Sequence, residues 1–304
     1  MIENKKILNT SKNGLLGSAI SRKLECDSIS RNDIDLCEKP LKEFLLGKEY
    51  DIVIHSAAKV GGVGANMEDN YNFFHKNLKL DDNVLNYCFE NNVDQLVTIL
   101  STCMFSPHCH YPLTKDQVYL GTPDNSNYGY SYAKRLLNIK TNYYSKVINK
   151  NWLSIVSTNL YGINDNFHIN NSHIIPALIR KAHHSATTGE KLEIWGDGTP
   201  LRQFLFSDDL ADIIIWALEN WKYDSPLMAI NEKEYSISEV VEIICNRFNI
   251  SNSMVYYDKN KPNGVAKKPA LSDINSFNFT NLETGINKTI DWYLENYTKN
   301  TIRL

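Results

Sequence analysis

The first half of the chain alternates short apolar strands with longer helical segments, and that alternation leaves few folds open. Lys6-Ile7-Leu8-Asn9 reads as a strand, Gly14 to Leu24 as a helix, Asp27 to Ser30 as a second strand and Asp51-Ile52-Val53-Ile54-His55 as the next. One long helix is expected from Asn66 to Asn91. Gln95 to Leu100 is a buried strand running straight into Ser101; a helix carrying Tyr130 follows, then the strand Leu153 to Ser157. Strands separated by helices pair in parallel, and the helices cover both faces of the sheet. The predicted class is α/β, a Rossmann doubly wound parallel sheet whose ligand lies beyond the carboxyl ends of its strands.

The second half is less regular. Helices are expected near His173–Ala186, Asp208–Asn220 and Glu239–Phe248, with short strands at Leu192–Trp195 and Arg202–Phe206. Ser236-Ile237-Ser238-Glu239 is a capping box that opens the last helix. A smaller, partly interleaved α/β substrate domain fits this pattern. Residues 1–164 and about 193–226 would form the nucleotide-binding domain, and about 165–192 and 227–304 the substrate domain.

Composition excludes several classes. Of 304 residues, 42% are hydrophobic and 11% aromatic, enough for a sizeable core. With 32 basic and 35 acidic residues well mixed, a nucleic-acid or anionic-membrane surface is not expected. No apolar run reaches membrane-spanning length, and the N-terminus does not read as a signal peptide. The six cysteines form no Cys-x-x-Cys pair, which suits a reduced, cytoplasmic protein, and the eight histidines show no zinc-type spacing, so no metal is expected.

Two local motifs carry chemistry. Thr10-Ser11-Lys12-Asn13-Gly14-Leu15-Leu16-Gly17 follows the first strand and opens the first helix. A dinucleotide loop uses three glycines; Gly14 and Gly17 match the second and third, and Ser11 stands in place of the first, where it calls for a strained backbone or a locally different turn. Helix N-terminal amides still suit a pyrophosphate. At the tip of the second strand, Arg31 suits the 2′-phosphate of NADP(H), where an acidic residue would suit the ribose diol of NAD.

The second motif is Tyr130-Ser131-Tyr132-Ala133-Lys134. Tyrosine and lysine four apart share a helix face. An ammonium beside a phenol lowers its pKa, making Tyr130 a general acid near neutrality. Ser101, at a neighbouring strand end, would hydrogen-bond the same substrate oxygen. The set protonates a carbonyl oxygen while a hydride arrives at its carbon.

On these residues the chain resembles the GDP-L-fucose synthase family of the extended short-chain dehydrogenase/reductase superfamily. The resemblance runs nearly end to end. It includes Gly14-Leu15-Leu16-Gly17-Ser18-Ala19, Ala57-Ala58-Lys59-Val60-Gly61-Gly62-Val63, Ser101-Thr102-Cys103 and Asn159-Leu160-Tyr161-Gly162 with Asp165-Asn166-Phe167. It continues through Ser172-His173-Ile174-Ile175-Pro176-Ala177-Leu178-Ile179-Arg180, Trp195-Gly196-Asp197-Gly198, Arg202-Gln203-Phe204 and Lys261-Pro262-Asn263-Gly264.

The resemblance implies NADPH-dependent C4 reduction of a GDP-4-keto-6-deoxy sugar, hexose or heptose, in nucleotide-sugar biosynthesis of the kind that serves capsule or lipopolysaccharide. It implies that Ser101 and Tyr130 bind the C4 oxygen and that Lys134 holds the nicotinamide ribose. Cys103 and His173 match the pair that inverts C3 and C5, whose protons a 4-keto group acidifies. Ser11, Asn13, Gly14, Leu15, Leu16, Arg31, Ala57, Lys59, Asn159, Leu160 and His173 would join Lys134 in holding the cofactor. Lys181, Trp195, Arg202 and Lys261 would bind the GDP-sugar, and a homodimer is implied, built on the 66–91 and 130–146 helices. The segment Phe105-Ser106-Pro107-His108-Cys109-His110-Tyr111-Pro112 and Lys267-Lys268 depart from the family pattern. Two alternatives follow: a dedicated C4 reductase of a GDP-4-keto-heptose acting after a separate epimerase, and a non-catalytic nucleotide-sugar-binding relative. A 4,6-dehydratase would need an acidic pair where Thr102-Cys103-Met104 stands.

Overall fold

The computed structural model describes residues 2–221, 225–261 and 263–303. The strands are β1 (Ile7–Asn9), β2 (Asp27–Ser28), β3 (Ile52–His55), β4 (Gln95–Ser101), β5 (Asn151–Ser157), β6 (Asn159–Tyr161), β7 (Leu192–Trp195), β8 (Leu201–Phe206), β9 (Leu227–Ala229), β10 (Glu234–Ser236) and β11 (Val255–Asp258). The helices are α1 (Leu15–Lys23), α2 (Leu41–Phe44), α3 (Val63–Glu68), α4 (Asn70–Glu90), α5 (Tyr128–Ile148), α6 (Ile174–Thr188), α7 (Ser207–Asn220), α8 (Ile237–Phe248) and α9 (Leu282–Thr298).

Six strands form one sheet in the order β2-β1-β3-β4-β5-β9, and every pairing in it is parallel. The sheet is doubly wound, as expected. Its order reverses between β1 and β3, where such sheets open a ligand crevice. Strand periodicity explains the layers: Val53 turns to the face covered by α4 and α5, and Ile52 and Ile54 to the face covered by α1 and α7. A third core gathers α6, α8, α9, β7 and the aromatic side chains of β8 around Phe167, Phe204 and Phe206. Each fully buried side chain of this size contributes roughly 1.5–3 kcal/mol. Two small sheets, β10-β8-β6 and β11-β7, line this second layer.

The helix expected as one piece over 66–91 is two. Asp69 interrupts it at φ −137°, ψ 43°. Its carboxylate accepts hydrogen bonds from Asn72 (2.8 Å) and Lys59 (3.2 Å), which favours the break over a continuous helix. α9 was not anticipated either. Its apolar positions Leu282, Ile286, Ile290 and Tyr293 keep helical spacing, but Gly285 weakens the pattern. That glycine is required because a Cβ there would lie 2.2 Å from the Tyr161 hydroxyl. Ser11 is not strained: the non-glycine residues at positive φ, among those described, are Asn92, Asn149, Asn164, Asn249 and Asn300.

Candidate active site

The loop after β1 folds back over Ser11. A Cβ on Gly14 would lie 2.3 Å from the Ser11 hydroxyl oxygen, and one on Gly17 would lie 1.5 Å from the Ser11 carbonyl oxygen. Gly17 is therefore demanded by close backbone approach, and Gly14 by the Ser11 hydroxyl packed against it. α1 starts at Gly14 with no side chain capping it and no acid in its first turn, so its amides face the crevice with their dipole uncompensated. The Leu16 side chain is buried in the core, so its backbone is what it offers to a ligand. The Asn13 carbonyl accepts from Asn164 (3.1 Å), fastening the loop to the second layer. Ala57 N–H donates to the Thr10 hydroxyl (3.1 Å), closing β1 onto the end of β3.

Arg31 stands at the tip of β2, exposed and ion-paired with Asp35 at 2.8 Å. The nearby Asp33 carboxylate is taken by Ser30, from its N–H (2.8 Å) and its hydroxyl (2.7 Å), and these bonds lower its pKa. Both bonds go to the same oxygen of that carboxylate. Lys59 is fixed by its surroundings: its N–H donates to Asn77 (2.9 Å), and its ammonium reaches Asp69 and lies 4.7 Å from the Phe73 ring centroid.

Ser101 ends β4 in register with Ser157 of β5, at the carboxyl edge of the sheet. Its hydroxyl oxygen accepts from Cys103 N–H (3.2 Å), which leaves its own proton free to donate outward. Two contacts place α5 beside this turn and a third ties it to the start of α4. Ser131 donates to the Cys103 carbonyl (3.0 Å), Arg135 donates to the Met104 carbonyl (2.7 Å), and Gly129 N–H donates to Asn70 (2.9 Å). A Cβ on Gly129 would collide with the Asn70 carbonyl at 2.3 Å. The adjoining face of α5 then presents Tyr130 and Lys134, with the ammonium 5.8 Å from the phenol ring centroid.

The electrostatics reverse one expectation. Burial pushes the Tyr130 phenol up, and charge on Cys103 and Asp81 acts in the same direction. Burial pushes Lys134 down, opposed by Asp81. All three influences on Tyr130 act upward, so it stays a protonated phenol, the form a proton donor needs.

Cys103 is half-buried and belongs to none of the cores. His173 is the residue before α6, with no side-chain cap bond. Its imidazole is pushed down by burial although much of the side chain stays open to water. Gly62 N–H donates to the Asn171 carbonyl (3.2 Å), and a Cβ on Gly62 would lie 2.7 Å from the Ser172 carbonyl oxygen. The start of α6 is thus pressed against the loop that follows β3.

Across the cleft, three of the expected sugar-nucleotide residues meet. The ammoniums of Lys181 and Lys261 each lie 5.5 Å from the ring centroid of Trp195, an exposed indole. Pro262 lies outside the described residues. Arg202 is held by the carbonyls of Leu201 and Val265, both at 2.7 Å, and its charge acts on Tyr111. In the unusual 105–112 segment, Ser106 and Cys109 turn into the core, leaving His108, His110 and Tyr111 exposed. Asn159 donates to the Gln203 carbonyl (2.8 Å) where the chain leaves the large sheet, and Leu160 follows on β6.

Residues 10–230 match the model of the NAD dependent epimerase/dehydratase family. This chain belongs to that family. Within it the chain is 35% identical to a probable GDP-L-fucose synthase of Drosophila melanogaster, covering 96% of this chain and 98% of the relative. It is 33% identical to a GDP-L-colitose synthase of Yersinia pseudotuberculosis, covering 95% and 98%. The crystal structure of a GDP-L-fucose synthetase from Naegleria fowleri bound to NADP superposes with a TM-score of 0.90 at 30% identity, covering all of this chain and 98% of that one.

Several groups of this epimerase/dehydratase site escaped the sequence reading. Ser131 and Arg135 clamp the Cys103 turn, and their positions one and five beyond Tyr130 were a usable signal. Lys268 reaches the Phe105 carbonyl (3.4 Å), is pushed down by burial, and feels the charges of Cys103, Cys109 and Asp124. The buried set of Thr10, His55 and Asp81 comes from three separate elements, and no local pattern announces it.

Proposed function

We infer that this protein is an NADPH-dependent oxidoreductase that reduces the C4 keto group of a GDP-4-keto-6-deoxy sugar. The convergence of Ser101, Tyr130 and Lys134 at the carboxyl edge of the sheet, in a chain similar over nearly its full length to GDP-L-fucose synthases, carries this reading.

The residues fit NADP(H). Gly14 and Gly17 leave the cradle that a Cβ would fill, the start of α1 is uncapped, and an exposed arginine, Arg31, stands at the strand tip. Asn13, Leu15, Leu16, Ala57, Asn159 and Leu160 border the same crevice, with Ser11 forming its floor. When bound, the cofactor supplies a hydride to the sugar C4. Tyr130 donates a proton to the C4 oxygen, and Ser101 donates a hydrogen bond to it. Lys134 holds the nicotinamide ribose. Lys181, Trp195, Arg202 and Lys261 hold the GDP moiety, the cations on the diphosphate.

Cys103 and His173 are free to move protons at C3 and C5: among the described residues, neither side chain is hydrogen-bonded. His173, pushed below its ordinary value, is a neutral base at pH 7. The division expected at about 165–192 and 227–304 shifts at its borders: β7 and β8 pair in the two small sheets and β9 pairs in the large one, so we assign β6 to β8 and β10 to α9 to the sugar-binding domain. The exposed Tyr71, Ile139, Tyr143 and Val147 on α4 and α5 form the surface through which two copies pair. No helix among the described residues is long and apolar enough to cross a membrane.

The deciding experiment supplies GDP-4-keto-6-deoxy-mannose and follows NADPH oxidation. In deuterium oxide without NADPH, the wild type should wash solvent deuterium into C3 and C5, and Cys103→Ser should suppress that exchange. Reduction of an already epimerised substrate with no exchange by the wild type would make the protein a dedicated C4 reductase. No oxidation of NADPH with either substrate would refute the reading.

A further inference from the structure

Behind the site lies a buried polar chain that the reaction described above does not use. Thr10, His55 and Asp81 are exposed by 3%, 1% and 2%, and they come from the end of β1, the end of β3 and the middle of α4. The Thr10 hydroxyl oxygen accepts the Ala57 N–H at 3.1 Å and lies 3.1 Å from His55 Nδ1. His55 Nε2 lies 2.8 Å from Asp81 Oδ1. One assignment satisfies every member: Thr10 O–H donates to Nδ1, and Nε2–H donates to the Asp81 carboxylate.

That leaves one atom over. Asp81 Oδ2 is buried with no hydrogen-bond partner. A buried carboxylate oxygen without a partner is costly unless a positive charge lies close. The buried cation on which the Asp81 charge acts is Lys134. It is 3% exposed on α5, the helix packed against α4, and it makes no ion pair among the described residues. The Asp81 charge acts on Lys134 and also on Tyr130. The other titratable groups around the pair are Tyr130 on α5, Cys103 in the turn after β4, and His55 on β3.

Given the C4-reductase function inferred above, we propose that Asp81, oriented by His55 and Thr10, is a positioning residue that anchors the Lys134 ammonium beside Tyr130. Thr10 directly precedes the phosphate loop and ties it to Ala57. The same chain therefore links the floor of the cofactor crevice to the lysine on its far wall. Without Asp81, burial alone acts on Lys134 and favours its neutral amine, which holds a ribose hydroxyl and supports the Tyr130 proton less well.

Asp81→Asn tests this cleanly. Asparagine has nearly the same shape and still accepts the His55 Nε2–H bond, so only the charge is lost. In protein labelled with carbon-13 at lysine Cε, the Lys134 resonance is assigned by its disappearance in Lys134→Arg. Its titration midpoint should fall by about one unit or more in Asp81→Asn, the effect of removing a nearby opposite charge. An unmoved midpoint overturns the proposal, and this readout needs no turnover. In the NADPH assay, kcat should fall by about tenfold while the sugar KM changes by less than about twofold, and Asp81→Glu should restore part of kcat. A rise in KM alone, or an unchanged kcat in an active wild type, also overturns it. A wild type inactive on the GDP-sugar would refute the assigned reaction instead, and the lysine titration would still decide the Asp81–Lys134 link. If Asp81→Asn does not fold, His55→Gln is titrated in its place. It keeps a donor to Asp81 and loses the link to Thr10, so a smaller downward shift is expected, and none overturns the proposal.

Discussion

The two walls of the cleft are built differently. The proposed reductive wall, with Ser101, Tyr130 and Lys134, is set on the sheet edge and on α5; Ser131 and Arg135 lock it to neighbouring backbone, and Gly129 to the Asn70 side chain. The opposite wall, with Lys181, Trp195 and Lys261, is carried by the smaller layer: an exposed indole with two lysines reaching toward it. On the proposed roles, the first wall has to place a proton donor to a fraction of an ångström, because misplacement costs rate directly. The second has to hold a nucleotide diphosphate, which flexible cations do well. Chemistry would then sit where the backbone is over-determined, and recognition where side chains can adjust.

Substitutions in the two walls should therefore divide between kcat and KM. The largest effect belongs to Tyr130→Phe, which removes the proton donor and should lower kcat by about two orders of magnitude or more. Near-normal turnover would place the general acid elsewhere. Gly17→Ala comes next. Its Cβ would lie 1.5 Å from the Ser11 carbonyl oxygen, so the loop has to open and NADPH affinity should drop by about tenfold or more, read by quenching of intrinsic fluorescence. Unchanged affinity would mean that the loop does not hold the pyrophosphate.

On the recognition wall, Trp195→Ala should raise the sugar-nucleotide KM by about tenfold, near 1.4 kcal/mol, with kcat almost unchanged. A matching fall in kcat would erase the contrast between the walls. The smallest effect concerns the seam between the layers, where Asp165 is buried and its pKa is pushed up to about 7 by desolvation, with Arg303 opposing. The folded state then holds this proton more tightly than the unfolded chain does. Stability from this group is complete below the ordinary carboxylate range, declines as pH rises from about 4 to 7, and is level above that. Asp165→Asn should remove that decline and raise Tm at pH 8 by about 2 °C or more relative to the wild type. Parallel Tm profiles for the two proteins from pH 4 to 8 would show that the carboxyl is not protonated in the fold.

Legibility followed the range of the interactions. The parallel strands, the capping box at Ser236 and the Tyr130–Lys134 face were readable because each depends on residues a few positions apart. The break at Asp69 was not, since it depends on Lys59 approaching from the preceding loop. α9 was obscured by Gly285, whose reason is Tyr161 far away in the chain. Each recognition residue was named from its motif, yet the meeting of Lys181 and Lys261 at one indole required α6, β7 and the loop after β11 to pack together.

By itself, the sequence determined the fold class and proposed the phosphate loop and the reductive set, because period and spacing are local properties of a chain. The tertiary structure alone decided the protonation balance and the buried chain behind the site. The Tyr130 phenol is pushed up by burial, Cys103 and Asp81 together only because α4, α5 and the turn after β4 pack against one another. Asp81, His55 and Thr10 become one network only when three distant elements meet at the switch point of the sheet. Burial and charge proximity belong to the packed volume, and no window of sequence contains them.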